Sequence, residues 1–231
     1  MDFSQRSYQK ELIDRDDIPF EAIERNMQEL GLINAWLGGH RITLDGFKKL
    51  LKNRKKITIC EIGCGGGDNL EAIQKWCKRK NITVDIIGID INPYCIEVAK
   101  SKFLNENVRF IVSDYQQVHF EKDKRDIIFS SLFCHHFTEL QLLRMLKWMQ
   151  SNSGIGFFIN DLHRHRFAFY SIKGLTSIFS KSWLVKNDAP LSVLRGFTRK
   201  EWRQLLSKSS ISTYSIQWKW AFRWLVICPI T

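Results

Sequence analysis

No apolar run in this sequence approaches the roughly 20 residues that a membrane-spanning helix requires. The first ten residues are polar and include Asp2, Arg6 and Lys10, so they do not resemble a secretory signal peptide. The six cysteines form no CxxC pair and have no spacing typical of a disulfide framework. Because reduced cysteines are typical of cytoplasmic proteins, we expect a cytoplasmic location.

Acidic residues are scarce in the last third of the chain. Residues 162–231 contain 12 basic residues but only two acidic ones, Asp188 and Glu201, whereas residues 1–161 contain 23 basic and 22 acidic residues. The net charge of +11 therefore lies almost entirely in the last third. Such a segment fits an anionic partner, such as a membrane surface, a nucleic acid or an acidic substrate, and fits equally well a solvated basic face.

Apolar runs alternate with amphipathic segments through the middle of the chain, which is the pattern of a parallel sheet covered by helices. The 231 residues, 44% hydrophobic and 26% charged, suit one globular domain. Asn92-Pro93 and the pair Thr138 and Gln141 are typical helix starts. We predict strands at Ile57–Ile62, Val84–Asp90, Val108–Ser113, Asp126–Ser131 and Gly154–Asn160, with helices near Asp68–Lys80, Pro93–Phe103 and Glu139–Gln150 between them.

The alternation stops after the fifth strand. Phe167–Val185 has apolar residues at helical spacing and is predicted to be one helix, followed by an irregular stretch over Lys186–Arg195. A helix at Arg199–Lys208 precedes two strand-like runs, Ile211–Trp218 and Phe222–Ile230, which leave no room for a helix between them. The predicted fold class is therefore α/β: a doubly wound, Rossmann-like seven-stranded sheet of five parallel strands plus a C-terminal antiparallel hairpin.

An amphipathic helix is predicted ahead of the first strand, over Ile18–Leu37, with its end at Gly38-Gly39. Because this helix has no position of its own in the sheet, we expect it to lie across the ligand-binding edge as an N-terminal cap. Phe167–Val185 has two interpretations, an inserted lid helix or an additional core helix.

A glycine-rich run, Gly63-Cys64-Gly65-Gly66-Gly67, follows the first predicted strand and opens a helix. Glycines at this place let the backbone turn sharply and approach a ligand closely. A dinucleotide fingerprint GxGxxG would need glycine at position 68 or 70, where this chain has Asp68 and Leu70. The spacing therefore disfavours a dinucleotide site.

Glu61-x-Gly63-x-Gly65-x-Gly67 instead resembles the glycine-rich motif of the class I S-adenosylmethionine-dependent methyltransferases. The resemblance extends over about residues 57–160 as an ordered series of motifs. It implies S-adenosylmethionine as the cofactor, with Asp90 at the end of the second strand binding the ribose hydroxyls and Asp114 after the third binding the adenine. The cofactor-binding residues that it implies are Glu61, Gly63, Cys64, Gly65, Gly67, Asp90, Ile91, Asp114, Tyr115, Ser130 and Leu132.

Within that superfamily, Leu132-Phe133-Cys134-His135-His136-Phe137 resembles a segment of the ubiquinone- and menaquinone-biosynthesis methyltransferases. Residues 160–165 and 190–197 are similar to bacterial enzymes that act on polyketide-type phenols. The resemblance implies a small apolar or aromatic acceptor, methylated on oxygen or carbon. The candidate substrate-binding residues are Trp36, Asn160, Phe169, Phe179, Trp183 and Arg195.

Methyl transfer from an activated donor needs mainly orientation and removal of the acceptor's proton, a task that suits histidine. His135 and His136 follow the fourth strand and His163 follows the fifth, so these three are candidate bases. Asn160-Asp161 is similar to metal ligands of catechol-type methyltransferases, but those enzymes place a further Asp after strand four, and this chain has none there. We therefore predict no metal.

We predict a single domain over residues 1–231. It comprises cap helices (1–55), a cofactor-binding core (56–160), a substrate lid region (161–210) and a terminal hairpin (211–231). Two other functions are left open. The basic last third favours an RNA or DNA methyltransferase, although the base-stacking Pro-Pro segment of such enzymes is missing after strand four. A non-catalytic partner subunit is the other, although the residues expected to bind the cofactor are all present. We expect a small-molecule acceptor and a peripheral contact with a membrane or other anionic surface, and consider nucleic acid an improbable partner.

Overall fold

The computed structural model describes residues 2–15, 17–103, 108–120 and 124–230. Seven strands form one sheet: β1 (Lys56–Ile62), β2 (Thr83–Asp90), β3 (Val108–Val112), β4 (Arg125–Ser131), β5 (Ser153–Leu162), β6 (Ser215–Lys219) and β7 (Arg223–Pro229). The strands are ordered β3-β2-β1-β4-β5-β7-β6, and the first five are parallel. β7 is antiparallel to β5 and to β6. The predicted fold class is confirmed.

Eight α-helices accompany the sheet: α1 (Phe20–Trp36), α2 (Gly39–Leu51), α3 (Asp68–Arg79), α4 (Pro93–Lys102), α5 (Glu139–Asn152), α6 (Arg166–Phe179), α7 (Trp183–Arg195) and α8 (Arg199–Lys208). The predicted helix starts are confirmed. The Asn92 side chain accepts hydrogen bonds from the first turn of α4, and Thr138 and Gln141 form a reciprocal capping box at α5.

Helices cover both faces of the sheet, so the strands are buried on both sides. α2, α3 and α4 pack on one face, where Phe47 and Leu70 contact the same apolar cluster as Phe158. α5 and α8 pack on the other face, around Met145 and Trp202. The carboxyl ends of the parallel strands are left for α1, α6, α7 and the loops.

α1 lies over the glycine-rich loop, as expected for a cap helix. The Met27 sulfur is 3.3 Å from the place where a Cβ on Gly65 would stand, and Gly31 lies against the Asp68 carboxylate. More than one cap helix was predicted over residues 1–55, but the second helix packs on the sheet and not over its ligand-binding edge. Gly38 turns the chain at a φ of 76°, and Gly39 then starts α2, which packs on β5. α2 thus belongs to the layer that covers the sheet.

The prediction of one helix over Phe167–Val185 and an irregular stretch over Lys186–Arg195 is wrong. The chain forms two helices, α6 and α7, with a corner at residues 180–182. The corner has a local cause: the Ser182 side chain accepts a hydrogen bond from the Val185 N–H and so caps a new helix. α7 then continues through Pro190 to Arg195. Across the described ranges, no helix combines the length and apolarity needed to cross a membrane.

Two helical glycines provide a matched test of the packing of α2. An added Cβ at Gly46 would stand 2.6 Å from the Phe158 ring, whereas nothing lies within 4 Å of that position at Gly174 in α6. We expect Gly46→Ala to lower the free energy of unfolding by about 1–3 kcal/mol through overpacking. Gly174→Ala should raise it by roughly 0.5–1 kcal/mol, because alanine favours helix. Urea unfolding followed by circular dichroism measures both changes, and the same sign in both variants would contradict this packing.

Candidate functional site

The glycine-rich loop joins β1 to α3 at the carboxyl edge of the sheet. Gly63, Gly65 and Gly67 all have positive φ, at 65°, 50° and 75°, which is the region that only glycine adopts readily. The Cys64 N–H donates to the Ile89 carbonyl at 3.0 Å, so the loop is fixed to the end of β2. The loop thus forms a backbone cradle at the end of two neighbouring strands.

An aromatic wall stands beside this cradle. A Cβ on Gly63 would lie 2.1 Å from the Phe133 ring, so a larger residue there is excluded by contact as well as by φ. Tyr115 is buried and packs edge-on against Phe133 and Phe137. Burial raises the pKa of Tyr115 to about 12, which keeps its hydroxyl neutral.

Two carboxylates border the loop. Asp90 ends β2, and its oxygens accept hydrogen bonds from the Gly65 N–H at 2.8 Å and the Asn92 N–H at 2.9 Å. Burial raises the pKa of Asp90 despite these bonds. Glu61 is fully buried; its Oε1 accepts from the Asn69 amide at 3.0 Å, and its Oε2 has no hydrogen-bond partner among the described residues. Burial raises the pKa of Glu61 well above its usual range.

The remaining residues expected at the cofactor lie along the same edge. The Asp114 carboxylate accepts from the Gln116 N–H, and Ile91 is exposed directly after Asp90. Cys64 and Ser130 are buried. Leu132 adopts a φ of 54° at the end of β4, an uncommon conformation for a non-glycine residue, and its N–H donates to the Asn160 carbonyl at 2.9 Å. The structure therefore brings all the predicted cofactor-binding residues to one edge.

His135 lies in a buried ionic network that joins four parts of the chain. Its Nδ1 is 2.8 Å from Asp161 Oδ1 at the end of β5, and its Nε2 is 3.4 Å from Glu11 Oε1 in the N-terminal segment. Glu11 also contacts His136, at 3.7 Å, and Arg195 at the end of α7, at 3.8 Å. Apart from the partly exposed His136, these groups are buried.

The charges of this network explain its protonation. Burial alone would lower the pKa of His135, but the carboxylates of Asp161 and Glu11 outweigh burial and raise that pKa to about 9. Burial likewise opposes ionisation of Asp161, yet the charge of His135 holds its pKa below the usual range. His135 is therefore an imidazolium at neutral pH with both nitrogens paired, an arrangement that does not suit a general base.

The other two candidate bases differ in their surroundings. His136 is partly exposed, contacts Asp14 at 3.2 Å and packs against the Phe133 ring beside the glycine-rich loop. His163 lies near the sheet's hairpin end, where its Nδ1 accepts from the Trp218 indole N–H at 3.3 Å. Burial, with the charge of His165, lowers the pKa of His163 to about 4. His163 is thus neutral but stands apart from the loop.

Glu11, His135 and His136 each offer one potential metal-ligand atom, and these atoms lie within 4.8 Å of one another. The Arg195 guanidinium beside Glu11 adds positive charge to the cluster, and Asp161 already occupies the Nδ1 side of His135. Both features disfavour a cation here, so the prediction of no metal is retained as a prediction.

The candidate substrate-binding residues divide into buried and exposed groups. Asn160 is buried under α2, and its amide donates to the Gly39 carbonyl and to Ser131 Oγ, both at 3.2 Å. Arg195 is not available for an anionic acceptor group, because it donates to the carbonyls of His135 and Gln9. Phe169 packs in the small core between α6 and α7 and does not face a cleft.

The remaining three candidates, Trp36, Phe179 and Trp183, are exposed by 73%, 69% and 51%. Because Phe179 and Trp183 lie outside the core, the additional core-helix interpretation is wrong for these two side chains.

Sequence reasoning did not identify two groups that the structure places at this edge. Glu11 lies in a polar N-terminal stretch with no motif around it. Arg223 opens the apolar strand β7 and is 3% exposed. A charged residue at the start of an apolar strand was the available signal for Arg223. Glu11 had no such signal, because its partners lie far away in the sequence.

Comparisons with known proteins agree on the type of domain. Residues 59–152 match the methyltransferase domain family. The structure is similar to the plantazolicin methyltransferase BpumL in complex with a monoazolic desmethylPZN analog and SAH (20% identity, 94% of this chain and 91% of that chain, TM-score 0.67). It is also similar to human N-acetylserotonin methyltransferase in complex with SAM (15% identity, covering 91% of this chain and 56% of that chain, TM-score 0.64). A third similar structure is magnesium protoporphyrin IX methyltransferase from Synechocystis PCC 6803 with bound SAM (13% identity, covering 94% of this chain and 100% of that chain, TM-score 0.55). No curated protein sequence matches.

The ionic network predicts a characteristic pH dependence of stability. The pKa of His135 is raised from 6.5 to about 9, so its contribution is fully present below pH 6.5 and is lost as the pH rises through 9. Relative to His135→Gln, the wild type should therefore lose about 3 kcal/mol of unfolding free energy over this interval, at ~1.4 kcal/mol per pKa unit. Buried thiols also titrate on unfolding, so the difference between the two proteins, measured by urea unfolding, is the informative quantity. A difference that does not change with pH would contradict the imidazolium assignment.

Proposed function

We propose that the chain is a class I S-adenosylmethionine-dependent methyltransferase, as its domain match over residues 59–152 and its fold support. We propose further that it methylates oxygen, or else carbon, of a small apolar or aromatic acceptor such as a phenol, quinol or polyketide. The observation that carries this proposal is an apolar, aromatic rim beside the glycine-rich cradle.

The cradle fits the cofactor. Gly65 leaves space that a Cβ would fill, and Glu61 Oε2, which has no partner among the described residues, suits the ammonium of an amino acid moiety. In the proposal, Asp90 accepts hydrogen bonds from the ribose hydroxyls, while Asp114 and Tyr115 border the adenine. When bound, S-adenosylmethionine supplies a methyl group on a sulfonium, which is already activated for transfer.

The protein's chemical task is then to orient the acceptor and remove its proton. Among the three candidate histidines, His136 is favoured because it is partly exposed and packs against Phe133 next to the cradle. His136 also lies near two carboxylates, but His135 is excluded because it is buried and its pKa is raised to about 9. His163 is excluded because it lies at the hairpin end of the sheet, away from the loop. In the proposed reaction, the bound cofactor would supply the methyl group to the acceptor's oxygen, and His136 would take the proton that the acceptor's hydroxyl loses.

The apolar rim consists of Leu32, Trp36, Phe179 and Trp183, all exposed. Leu32 and Trp36 follow Glu29 on one face of α1, at helical spacing. The Glu29 carboxylate accepts from Ser180 Oγ at 2.5 Å and from the Lys181 N–H at 3.1 Å, so that face meets the α6–α7 corner. Phe179 and Trp183 flank this corner. The four exposed apolar side chains therefore lie on the two elements that meet at this corner, and such an apolar surface beside the cap helix suits an apolar acceptor.

Exposed lysines stand close to the apolar rim. Lys181 lies in the corner itself and Lys186 one turn into α7, and both are exposed. A basic, aromatic surface of this kind suits peripheral contact with an anionic membrane, from which apolar acceptors would be drawn. The free, buried state of all six cysteines is compatible with the cytoplasmic location that forms part of the proposal.

Two alternative functions remain: methylation of RNA or DNA, and a non-catalytic role as a partner subunit. The basic last third supports the first, but the exposed groups at the rim are aromatic rather than a continuous cationic groove. The full set of cradle residues disfavours the second.

The cofactor assignment predicts a specific role for Asp90. We expect Asp90→Ala to weaken S-adenosylmethionine binding by about 1.5–3 kcal/mol, the scale of hydrogen bonds to a charged group. Asp85 lies on the same strand at the opposite edge, where it pairs with Arg125 at 2.8 Å, so Asp85→Ala is the matched control and should bind normally. Calorimetric titration measures both variants. Wild-type affinity in Asp90→Ala, or no binding by the wild-type protein, would refute the assignment.

The rim predicts a selective loss of acceptor binding. Replacing Phe179 and Trp183 with serine should raise the KM for a long-chain alkylphenol roughly tenfold, since ~1.4 kcal/mol of apolar contact is lost. The affinity for S-adenosylmethionine should not change, and binding to anionic lipid vesicles should fall. Leu140→Ser with Tyr214→Ser, at two exposed apolar residues elsewhere, is the control.

Two results would contradict this interpretation of the rim. If the Phe179/Trp183 variant unfolds, these side chains are structural. If it folds but loses methylation of RNA or DNA, the small-molecule acceptor is wrong.

A further inference from the structure

Arg223 is a buried cation that forms no ion pair with the described residues. It begins β7 on the face covered by α2, is 3% exposed, and its Nε and Nη1 have no hydrogen-bond partner among the described residues. The other buried arginines are engaged: Arg164 pairs with Glu201, and Arg195 donates to backbone carbonyls. Because an unpaired buried charge is strongly unfavourable, a guanidinium in this state indicates a ligand that completes it.

The surroundings of Arg223 contain further unpartnered polar atoms. Arg223 Nη1 and Asn34 Oδ1 both approach Gly39, at 3.0 Å and 1.7 Å from the place where a Cβ would stand. His40 Nε2 is also buried without a partner among the described residues. Burial lowers the pKa of His40, although the carboxylate of Asp68 opposes this shift, so this side chain adds no second cation. Only a glycine at position 39 leaves room for these groups to meet.

The group around Arg223 is continuous with the end of β4. The Asn160 amide donates to the Gly39 carbonyl and to Ser131, and the N–H of Leu132 donates to the Asn160 carbonyl. Asn160 Oδ1 has no partner in the described part of the chain, although it is fully buried. Asn160 Oδ1, which can only accept hydrogen bonds, therefore lies near the end of β4, where the methyl group is expected. The Arg223 guanidinium, which forms no ion pair with the described residues, lies on the far side of Gly39.

We propose that Arg223 binds a carboxylate of the acceptor, whose hydroxyl donates to Asn160 before its proton passes to His136. The two groups require different ligand atoms. The Arg223 guanidinium donates hydrogen bonds to an oxygen anion, whereas the Asn160 amide oxygen accepts a hydrogen bond from a hydroxyl. The ligand class is therefore a hydroxylated acid, with an aromatic ring as the spacer that suits the apolar rim. This inference rests on the proposed methyl transfer and narrows its acceptor from a phenol to a phenolic acid.

The experiment compares an acid with its neutral counterpart. The intact protein, saturated with S-adenosylhomocysteine, is titrated by calorimetry with 4-hydroxybenzoate and with 4-hydroxybenzamide. We expect the wild-type protein to bind the acid roughly ten- to a hundredfold more tightly, the range of a hydrogen bond to a charged group. Arg223→Met should abolish the preference, and Arg223→Lys should keep part of it. Arg203→Met, at an exposed position on the other face of the sheet, should not change it.

The possible outcomes separate this inference from the function on which it rests. Equal affinity for the acid and the amide in the wild-type protein would overturn the Arg223 site, and this comparison needs no variant to fold. A preference that survives in a folded Arg223→Met protein would overturn it as well. Failure to bind S-adenosylhomocysteine, measured first and separately, would instead overturn the methyltransferase assignment.

Discussion

The buried ion pair between His135 and Asp161 is the interaction on which the arrangement of this edge depends. It joins the turn after β4 to the end of β5, and Glu11 and Arg195 extend it to the N-terminal segment and to α7. Because both charges are out of water, each requires the other, and losing one leaves the second unpaired. Through Glu11 and Arg195, the network therefore fixes the N-terminal segment and α7, neither of which pairs with a strand, to the ends of β4 and β5.

Two consecutive residues at the end of β5 have different roles, because successive side chains of a strand point to opposite faces of the sheet. Asp161 faces α5 and α8 and holds His135, whereas its neighbour Asn160 faces α2 and borders the proposed acceptor site. Structure and recognition are thus served by consecutive residues on opposite faces of the sheet. A shift of one residue in this strand would exchange the two tasks, so the pairing of β5 with β4 and β7 is important for both.

Hydrophobic periodicity and glycine spacing were sufficient to predict the sheet, its hairpin and the cofactor edge, because each depends on local pattern. The corner between α6 and α7 was missed because it depends on a single capping serine and on Glu29, which is remote in sequence. For the same reason Arg195, a candidate substrate-binding residue, instead donates hydrogen bonds to the backbone carbonyls of His135 and Gln9. Arg223 was not predicted as a site residue, because the sequence does not show which groups surround a buried guanidinium. The motifs could therefore be recognised in the sequence, whereas the partners of the buried charged side chains could not be predicted from it.

The N-terminal segment has a consequence for the order in which the molecule is assembled. Arg6 donates to the carbonyls of His135 and Arg195, and the N–H groups of Leu12 and Ile13 donate to Asp188. Residues 6–13 therefore find several of their partners only after α7 has been synthesised. Closing such long loops has an entropic cost, so these contacts are expected to form late in folding. The five parallel strands and the glycine-rich loop all precede α7 in the chain, and they are therefore available before the segment that carries Glu11 can complete its contacts.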